Sequence, residues 1–272
     1  MRRRGKFALA SEKLGAMTLG ERLLLALSDH PEDVDRTSNY EKPTTQWNVE
    51  SALALLEEAF PGFMETAKGK RVLDYGCGDG FQSVALAKAG AAQVLGVEIE
   101  ENRRAHGAAL AAKEGAANVS FAERVSGQFD IVISQNAMEH FIEPAANLRE
   151  MKEALAPGGR IYMSFGPLWM APYGHHMHFF TRAPWINLLF SEKTVFRIRS
   201  LYRDDGAMSW SPGMNRMTVA MFERLIGEGG LRPLRRRYRT AGGLPVVDGL
   251  PFLREFFVNM VDAELAPAEQ HR

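Results

Sequence analysis

Residues 72–80 read Val-Leu-Asp-Tyr-Gly-Cys-Gly-Asp-Gly. An apolar run gives way to Gly76, Gly78 and Gly80, with Asp74 just ahead of them and Asp79 among them. Glycine lets a backbone turn sharply and lets a ligand press against it with no side chain between. A helix starting directly after such a turn offers unpaired N–H groups to the same ligand. The pyrophosphate of a dinucleotide is the usual occupant of a G-x-G-x-x-G turn. Here the third glycine comes one residue early, and two carboxylates would repel a pyrophosphate but accept a ligand with a cationic end.

A second set of reactive side chains lies downstream. His140 closes the stretch Ser-Gln-Asn-Ala-Met-Glu-His, and His175, His176 and His178 cluster in Pro-Tyr-Gly-His-His-Met-His-Phe-Phe. Histidine exchanges a proton near neutral pH and is the commonest general base. Each has an ordinary alternative. His140 can be a helix-start residue, and the cluster can be loop imidazoles packed on aromatics and bonded to backbone. Histidine and carboxylate at Glu139-His140 and the cluster would also suit a transition metal, although the expectation here is a site without metal.

These residues need a scaffold that brings them together. Segments 70–78, 92–100, 118–125, 129–136 and 160–166 read as buried strands, and 81–90, 101–115 and 144–159 as helices stopped by glycine or Pro-Gly-Gly. Strand and helix alternate with short connections, which predicts an α/β, doubly wound, mostly parallel sheet with helices on both faces. Ligands of such sheets sit beyond the carboxyl ends of the strands. From Pro167 to about Met214 the alternation is lost to aromatics, prolines and histidines, and it resumes with a helix at 217–230 and strands at 231–240 and 256–265. The expected organisation is an N-terminal helical extension or lid over residues 1–66, with helices at 17–29 and 47–60, and a main domain over 67–272. An insertion over about 167–214 is placed to roof the site.

Asp74-Tyr75-Gly76-Cys77-Gly78-Asp79-Gly80 resembles the first motif, D-x-G-x-G-x-G, of the class I S-adenosylmethionine-dependent methyltransferases. Companion segments follow in order: Val-Leu-Gly-Val-Glu-Ile-Glu ending the second strand, then "FDIVISQNAMEHF" and "LREMKEALAPGGRIYMSF" for the fourth and fifth. The resemblance implies a Rossmann-like sheet of seven strands and S-adenosyl-L-methionine as cofactor. It implies that Glu98 accepts from the ribose hydroxyls, and that Asp74, Gly76, Cys77, Gly78, Gly80, Ile99, Gln135 and Asn136 line the rest of the cofactor site. Many relatives place an Asp after the third strand, where this chain offers only Glu123. Tyr40 and Trp47 are expected either to close over the cofactor or to be core aromatics, and "PWINLLF" either to line an apolar acceptor pocket or to be a buried helix.

Methyl transfer from a sulfonium needs in-line positioning, exclusion of water and, for a hydroxyl acceptor, a base, with His140, His175, His176 and His178 the candidates. Formal net charge is zero, which argues against a general polyanion binder. Enzymes that methylate the exocyclic amine of a base carry an Asn/Asp-Pro-Pro-aromatic turn where this chain has Ser134-Gln135-Asn136-Ala137. The leading expectation is therefore methyl transfer to a small organic acceptor, on oxygen: a sugar, a phenol or quinone precursor, or another metabolite. Two alternatives stand beside it. A metal-dependent small-RNA 2′-O-methyltransferase would use Glu139, His140, the histidine cluster and the arginines of "RPLRRRYR"; a methyltransferase-like module would bind without turnover. Neither nucleic acid nor membrane is expected as a partner, and a homodimer is left open. The single cysteine and an N-terminal apolar run too short for a secretory signal point to the cytoplasm.

Overall fold

A computed structural model describes residues 4–34, 48–243 and 250–268. Tyr40 and Trp47 lie outside the described residues. Seven strands form one sheet: β1 (Arg71–Tyr75), β2 (Gln93–Val97), β3 (Val119–Ala122), β4 (Phe129–Gln135), β5 (Leu155–Phe165), β6 (Leu231–Thr240) and β7 (Val258–Pro267). Their order is β3-β2-β1-β4-β5-β7-β6. β7 runs antiparallel to both its neighbours, and the pairs from β3 to β5 are parallel.

Side chains alternate across a strand, and here both faces are apolar because both are covered. Leu73, Ile161, Met163 and Phe165 face helices α7 (Pro144–Glu153) and α10 (Val219–Glu228), whose Leu148, Met151, Phe222 and Ile226 complete that core. Val72, Ile131, Ile133 and Tyr162 face α3 (Ala54–Ala59), α4 (Phe63–Ala67), α5 (Phe81–Lys88) and α6 (Glu101–Glu114) through Leu56, Phe63, Leu86 and Ala111.

A third core lies off the sheet. Met177, Phe180, Val195, Phe196 and Tyr202 of the 167–214 segment pack with Ala10 of α1 (Lys6–Leu14) and with Leu24 and Leu25 of α2 (Leu19–Ala26). Within that segment lie α8 (Ile186–Leu189) and α9 (Glu192–Arg199), and Arg197 donates to buried Glu21 at 2.9 Å and to the Leu14 carbonyl at 2.6 Å. The N-terminal stretch thus divides: α1 and α2 buttress the insertion, while α3 and α4 cover the sheet. The insertion closes on itself at its neck, where the Trp169 N–H donates to the Met217 carbonyl at 2.8 Å.

Three elements differ from the sequence expectation. The 47–60 helix contracts to Ala54–Ala59, because Asn48 Oδ1 accepts from the Ser51 N–H at 2.8 Å and holds the approach as turns. The helix after β4 ends at Glu153, and β5 already starts at Leu155. Phe256 and Phe257, expected at the start of the last strand, end α11 (Pro251–Phe257) instead. Of "PWINLLF", Ile186 is buried, but Leu189 is 71% exposed.

Candidate active site

The turn after β1 is tied to the end of β2: the Gly76 and Cys77 N–H groups both donate to the Val97 carbonyl, at 2.8 and 3.0 Å. Its three glycines have positive φ but different surroundings. A Cβ on Gly76 would come within 3.0 Å of the Ala137 Cβ. One on Gly80 would sit 2.7 Å from the Phe121 ring and 2.8 Å from the Gly107 Cα. Gly96 and Gly107 complete the slot around that ring, so Gly80 is filled from behind by protein. At Gly78 only the tip of Arg103 lies within reach, at 3.2 Å. Gly78 is therefore the position of the three where bare backbone is left for a ligand.

Asp74 and Glu98 have different partners. Asp74 is 2% exposed and accepts from the Ser83 hydroxyl at 2.6 Å. Burial pushes its carboxyl up to about 7, the Ser83 hydrogen bond opposes this, and the neighbouring charge of Glu98 adds to it. Folding thus favours the protonated form. The stability of that form is fully present below the ordinary carboxylate range, about 4, and is lost as pH rises through 7. Asp74→Asn, which stays neutral, should gain stability relative to the parent between pH 4 and pH 8, as read by urea unfolding across that range.

Glu98 bridges two loops. One oxygen accepts from the Gly78 N–H at 3.1 Å and the other from the Glu100 N–H at 3.0 Å. A carboxylate has about four lone-pair sites, so two more donors can be accommodated. Ile99 beside it is 75% exposed. Glu123 is exposed, 3.9 Å from Arg124. Burial and the charges of Asp74 and Glu98 push the Cys77 thiol up, which makes it a packing group and not a nucleophile.

The segment after β4 carries unmet polar groups. Ser134 Oγ, Gln135 Nε2 and Glu139 Oε2 are buried without a protein partner. Gln82 donates from its amide to Gln135 Oε1 and to the Ala52 carbonyl, joining α5, β4 and the N-terminal stretch. Asn136 has φ +50, and its N–H donates to the Ser164 carbonyl at 2.8 Å. Glu139 Oε1 accepts from the Gly166 N–H at 3.2 Å, and burial raises its carboxyl against the opposing influence of His140.

The histidines separate by their partners. A carbonyl only accepts, so each imidazole nitrogen facing one must carry the proton. His175 is enclosed: Nε2–H donates to the Ala183 carbonyl at 3.2 Å and Nδ1 accepts from the Met177 N–H at 2.9 Å. With both nitrogens used, and burial holding it at about 4, it is a backbone brace and has no lone pair for a substrate proton. His178 is exposed and lies against Tyr173, ring centroids 4.5 Å apart. His176 donates from Nε2 to the Pro167 carbonyl at 3.1 Å, and burial lowers it to about 4. His140 donates from Nδ1 to the Gly213 carbonyl at 2.7 Å, which leaves Nε2 as its lone pair. His140 and His176 meet edge to face, centroids 5.5 Å apart, beside the carboxyl ends of β4 and β5.

Among the described residues, no group of three His, Cys, Asp or Glu could hold a metal ion. The arginines of β6 are largely answered within the fold. Arg237 and Arg239 engage Asp262 at 2.8 and 3.1 Å, Arg239 also reaches Glu58 at 3.0 Å, and Arg236 reaches Glu223 at 3.0 Å. Ser83, Gln82, Phe121, Gly213 and Asn215 were not among the residues the sequence singled out. Ser83 was within reach, as a hydroxyl in the first turn of the helix that follows the glycines; the others act across distances that no local pattern marks.

Residues 66–167 match a family profile described as a methyltransferase domain. The match covers the first five strands and their helices, and marks that segment as similar to methyltransferase domains. The chain is 34% identical over 104 residues to the ubiquinone biosynthesis O-methyltransferase of Acinetobacter baumannii (strain AYE), covering 35% of the chain and 44% of that relative. It thus spans less than half the length of the curated relatives it matches. Its fold is similar to that of a magnesium protoporphyrin IX methyltransferase from Synechocystis PCC 6803 with bound SAM, at 14% identity, 93% and 99% coverage and a TM-score of 0.51. It is similar too to the [4+2]-cyclase SpnF, at 15% identity, 81% coverage of each chain and a TM-score of 0.52. A cyclase among the neighbours makes plain that the fold leaves the reaction to be argued from the site.

Proposed function

We propose that the protein transfers a methyl group from S-adenosylmethionine to a hydroxyl oxygen of a small organic acceptor, with His140 as general base. The observation that carries this reading is the hydrogen bond from His140 Nδ1 to the Gly213 carbonyl, which commits the ring to the tautomer with Nε2 unprotonated. The residues present suit the cofactor: bare backbone at Gly78, spare lone pairs on Glu98, and the unmet amide of Gln135 at the end of β4. When bound, S-adenosylmethionine supplies an electrophilic methyl whose leaving group is a neutral thioether.

Glu98 would accept from the ribose hydroxyls, and the cationic end of the cofactor would draw the buried Asp74 toward its ionised form. Gly78 would let the nucleoside lie against the chain. The insertion would exclude water, and His140 Nε2 would take the acceptor's proton. His176, held neutral, is too weak a base to share that duty and forms a wall instead. The partial match to an O-methyltransferase supports oxygen as the target, and the internally paired arginines of β6 favour a small acceptor over RNA.

The test is methyl transfer from isotopically labelled S-adenosylmethionine to a panel of catechols, hydroxybenzoates and sugars, with structured RNA alongside. Label recovered as an O-methyl ether on a small molecule is the expected result; label on carbon, on nitrogen or on RNA alone overturns it. The cofactor arm has its own check. Glu98→Ala should weaken S-adenosylmethionine binding by about 1.5–3 kcal/mol, the scale for unmade hydrogen bonds to a charged group. Titration calorimetry showing an unchanged affinity would remove Glu98 from the ribose.

A further inference from the structure

We propose that Asn215 is a positioning residue that holds the Met138–Phe141 turn so that His140 keeps its proton on Nδ1. This rests on the reading of His140 as the base.

Asn215 lies on the returning leg of the insertion, far in sequence from the turn it serves. Its side-chain Nδ2 donates to the Met138 carbonyl at 2.7 Å and to the Phe141 carbonyl at 2.9 Å. Its backbone N–H donates to the Glu139 carbonyl at 3.0 Å. Its Oδ1 accepts from the Met217 N–H at 3.0 Å, which fixes the amide's orientation. One residue therefore satisfies three of the four carbonyls of the turn, and that of Ala137, just ahead of it, accepts from the His140 N–H at 2.8 Å. Two positions before Asn215, Gly213 presents the carbonyl that receives the imidazole proton, at 2.7 Å.

The chemistry of the side chain is specific. Only a carboxamide donates two protons from one atom while accepting on the other. An aspartate would aim an oxygen at two carbonyl oxygens, and glutamine would carry the amide one methylene too far. The tautomer of a histidine is set by what its nitrogens meet. Here the meeting requires Gly213 to be held against the turn, and the hydrogen bonds that hold it run through Asn215. With the carboxamide removed, only the backbone bond to Glu139 ties Asn215 to the turn, and the imidazole loses its firmly held acceptor.

The experiment uses the full chain labelled with 15N-histidine, in the parent and in Asn215→Ala, Asn215→Asp and Asn215→Ser. Long-range 1H–15N spectra, assigned by the signals lost in His140→Gln, read which nitrogen carries the proton. The parent should show His140 protonated on Nδ1. All three variants should show a mixture of tautomers. His175, locked between the Ala183 carbonyl and the Met177 N–H, should stay protonated on Nε2 throughout; it separates a local effect from general loosening. With 3,4-dihydroxybenzoate as probe acceptor, kcat should fall about 10- to 100-fold in Asn215→Ala, the scale of a small misplacement of a reacting group. The KM for S-adenosylmethionine should be unchanged.

A folded Asn215→Ala or Asn215→Ser protein in which His140 remains protonated on Nδ1 overturns the proposal, as does loss of the His175 tautomer in step with that of His140. The two readings fail separately. If His140→Gln still methylates the probe while the Asn215 variants scramble the tautomer, the clamp stands and the base assignment falls. If His140→Gln is inactive and the tautomer survives in the variants, the base stands and the clamp falls.

Discussion

Replacing His140 with alanine should lower kcat about 10²- to 10⁴-fold, the usual worth of a general base, and leave S-adenosylmethionine affinity where it is. The two effects separate because the ring sits after β4, bonded to the returning leg of the insertion, while the groups proposed to face the cofactor gather at Gly78 and Glu98. His176→Ala should cost less, since its burial already holds it at about 4, too low to draw a proton from a hydroxyl near neutral pH. Steady-state kinetics with a catechol probe, paired with calorimetry for the cofactor, make the check. Equal losses in both variants, or a loss of cofactor affinity in His140→Ala, would assign the histidines to binding and not to proton transfer.

The second large effect concerns stability. Gly80→Ala should destabilise the fold by about 2–5 kcal/mol, combining the strain of a left-handed conformation with the overpacking of a filled core. The added methyl would meet the Phe121 ring at 2.7 Å and the Gly107 Cα at 2.8 Å, at φ +78. None of these neighbours is the loose end of a flexible side chain. Gly78→Ala shares the backbone strain, at φ +54, but meets only the tip of Arg103. It should cost about 1–2 kcal/mol of stability and most of the cofactor affinity. Two glycines separated by a single residue should thus report on different properties, one read by urea unfolding and the other by calorimetry. Phe121→Leu, which thins the ring, should restore part of the Gly80→Ala loss. Strict additivity of the two would mean that the contact is not the cause.

What the chain discloses on reading depends on how far apart the partners are. The turn at Gly76–Gly80 and the strands around it are local patterns, an apolar run ending in glycine, and they mark the sheet and its carboxyl edge. The roles of the four histidines are not local. Which nitrogen of His140 carries the proton depends on Gly213, 73 residues away. His175 and His176, adjacent in sequence, differ because one is enclosed by Ala183 and Met177 while the other donates to Pro167 and meets the His140 ring. The division of the N-terminal stretch was equally hidden, since the partner of Glu21 is Arg197, 176 positions on. Even the third motif glycine misleads on its own. It looks like a place for a ligand, yet an aromatic ring from β3 fills the space.

The clasp between the insertion's returning leg and the turn after β4 bears on how such an enzyme could change its substrate. The segment proposed to roof the acceptor also carries the Gly213 carbonyl and the Asn215 carboxamide, which bond to His140 and to the turn around it. Exchanging the roof for that of a relative would therefore replace part of the proton-transfer apparatus together with the selectivity. Chimeras joined inside the neck, between Met214 and Met217, should lose turnover even when they fold, whereas joints placed within α8 and α9 should alter acceptor choice alone. On this reading the neck would carry the rate, and the helical part of the roof the selectivity.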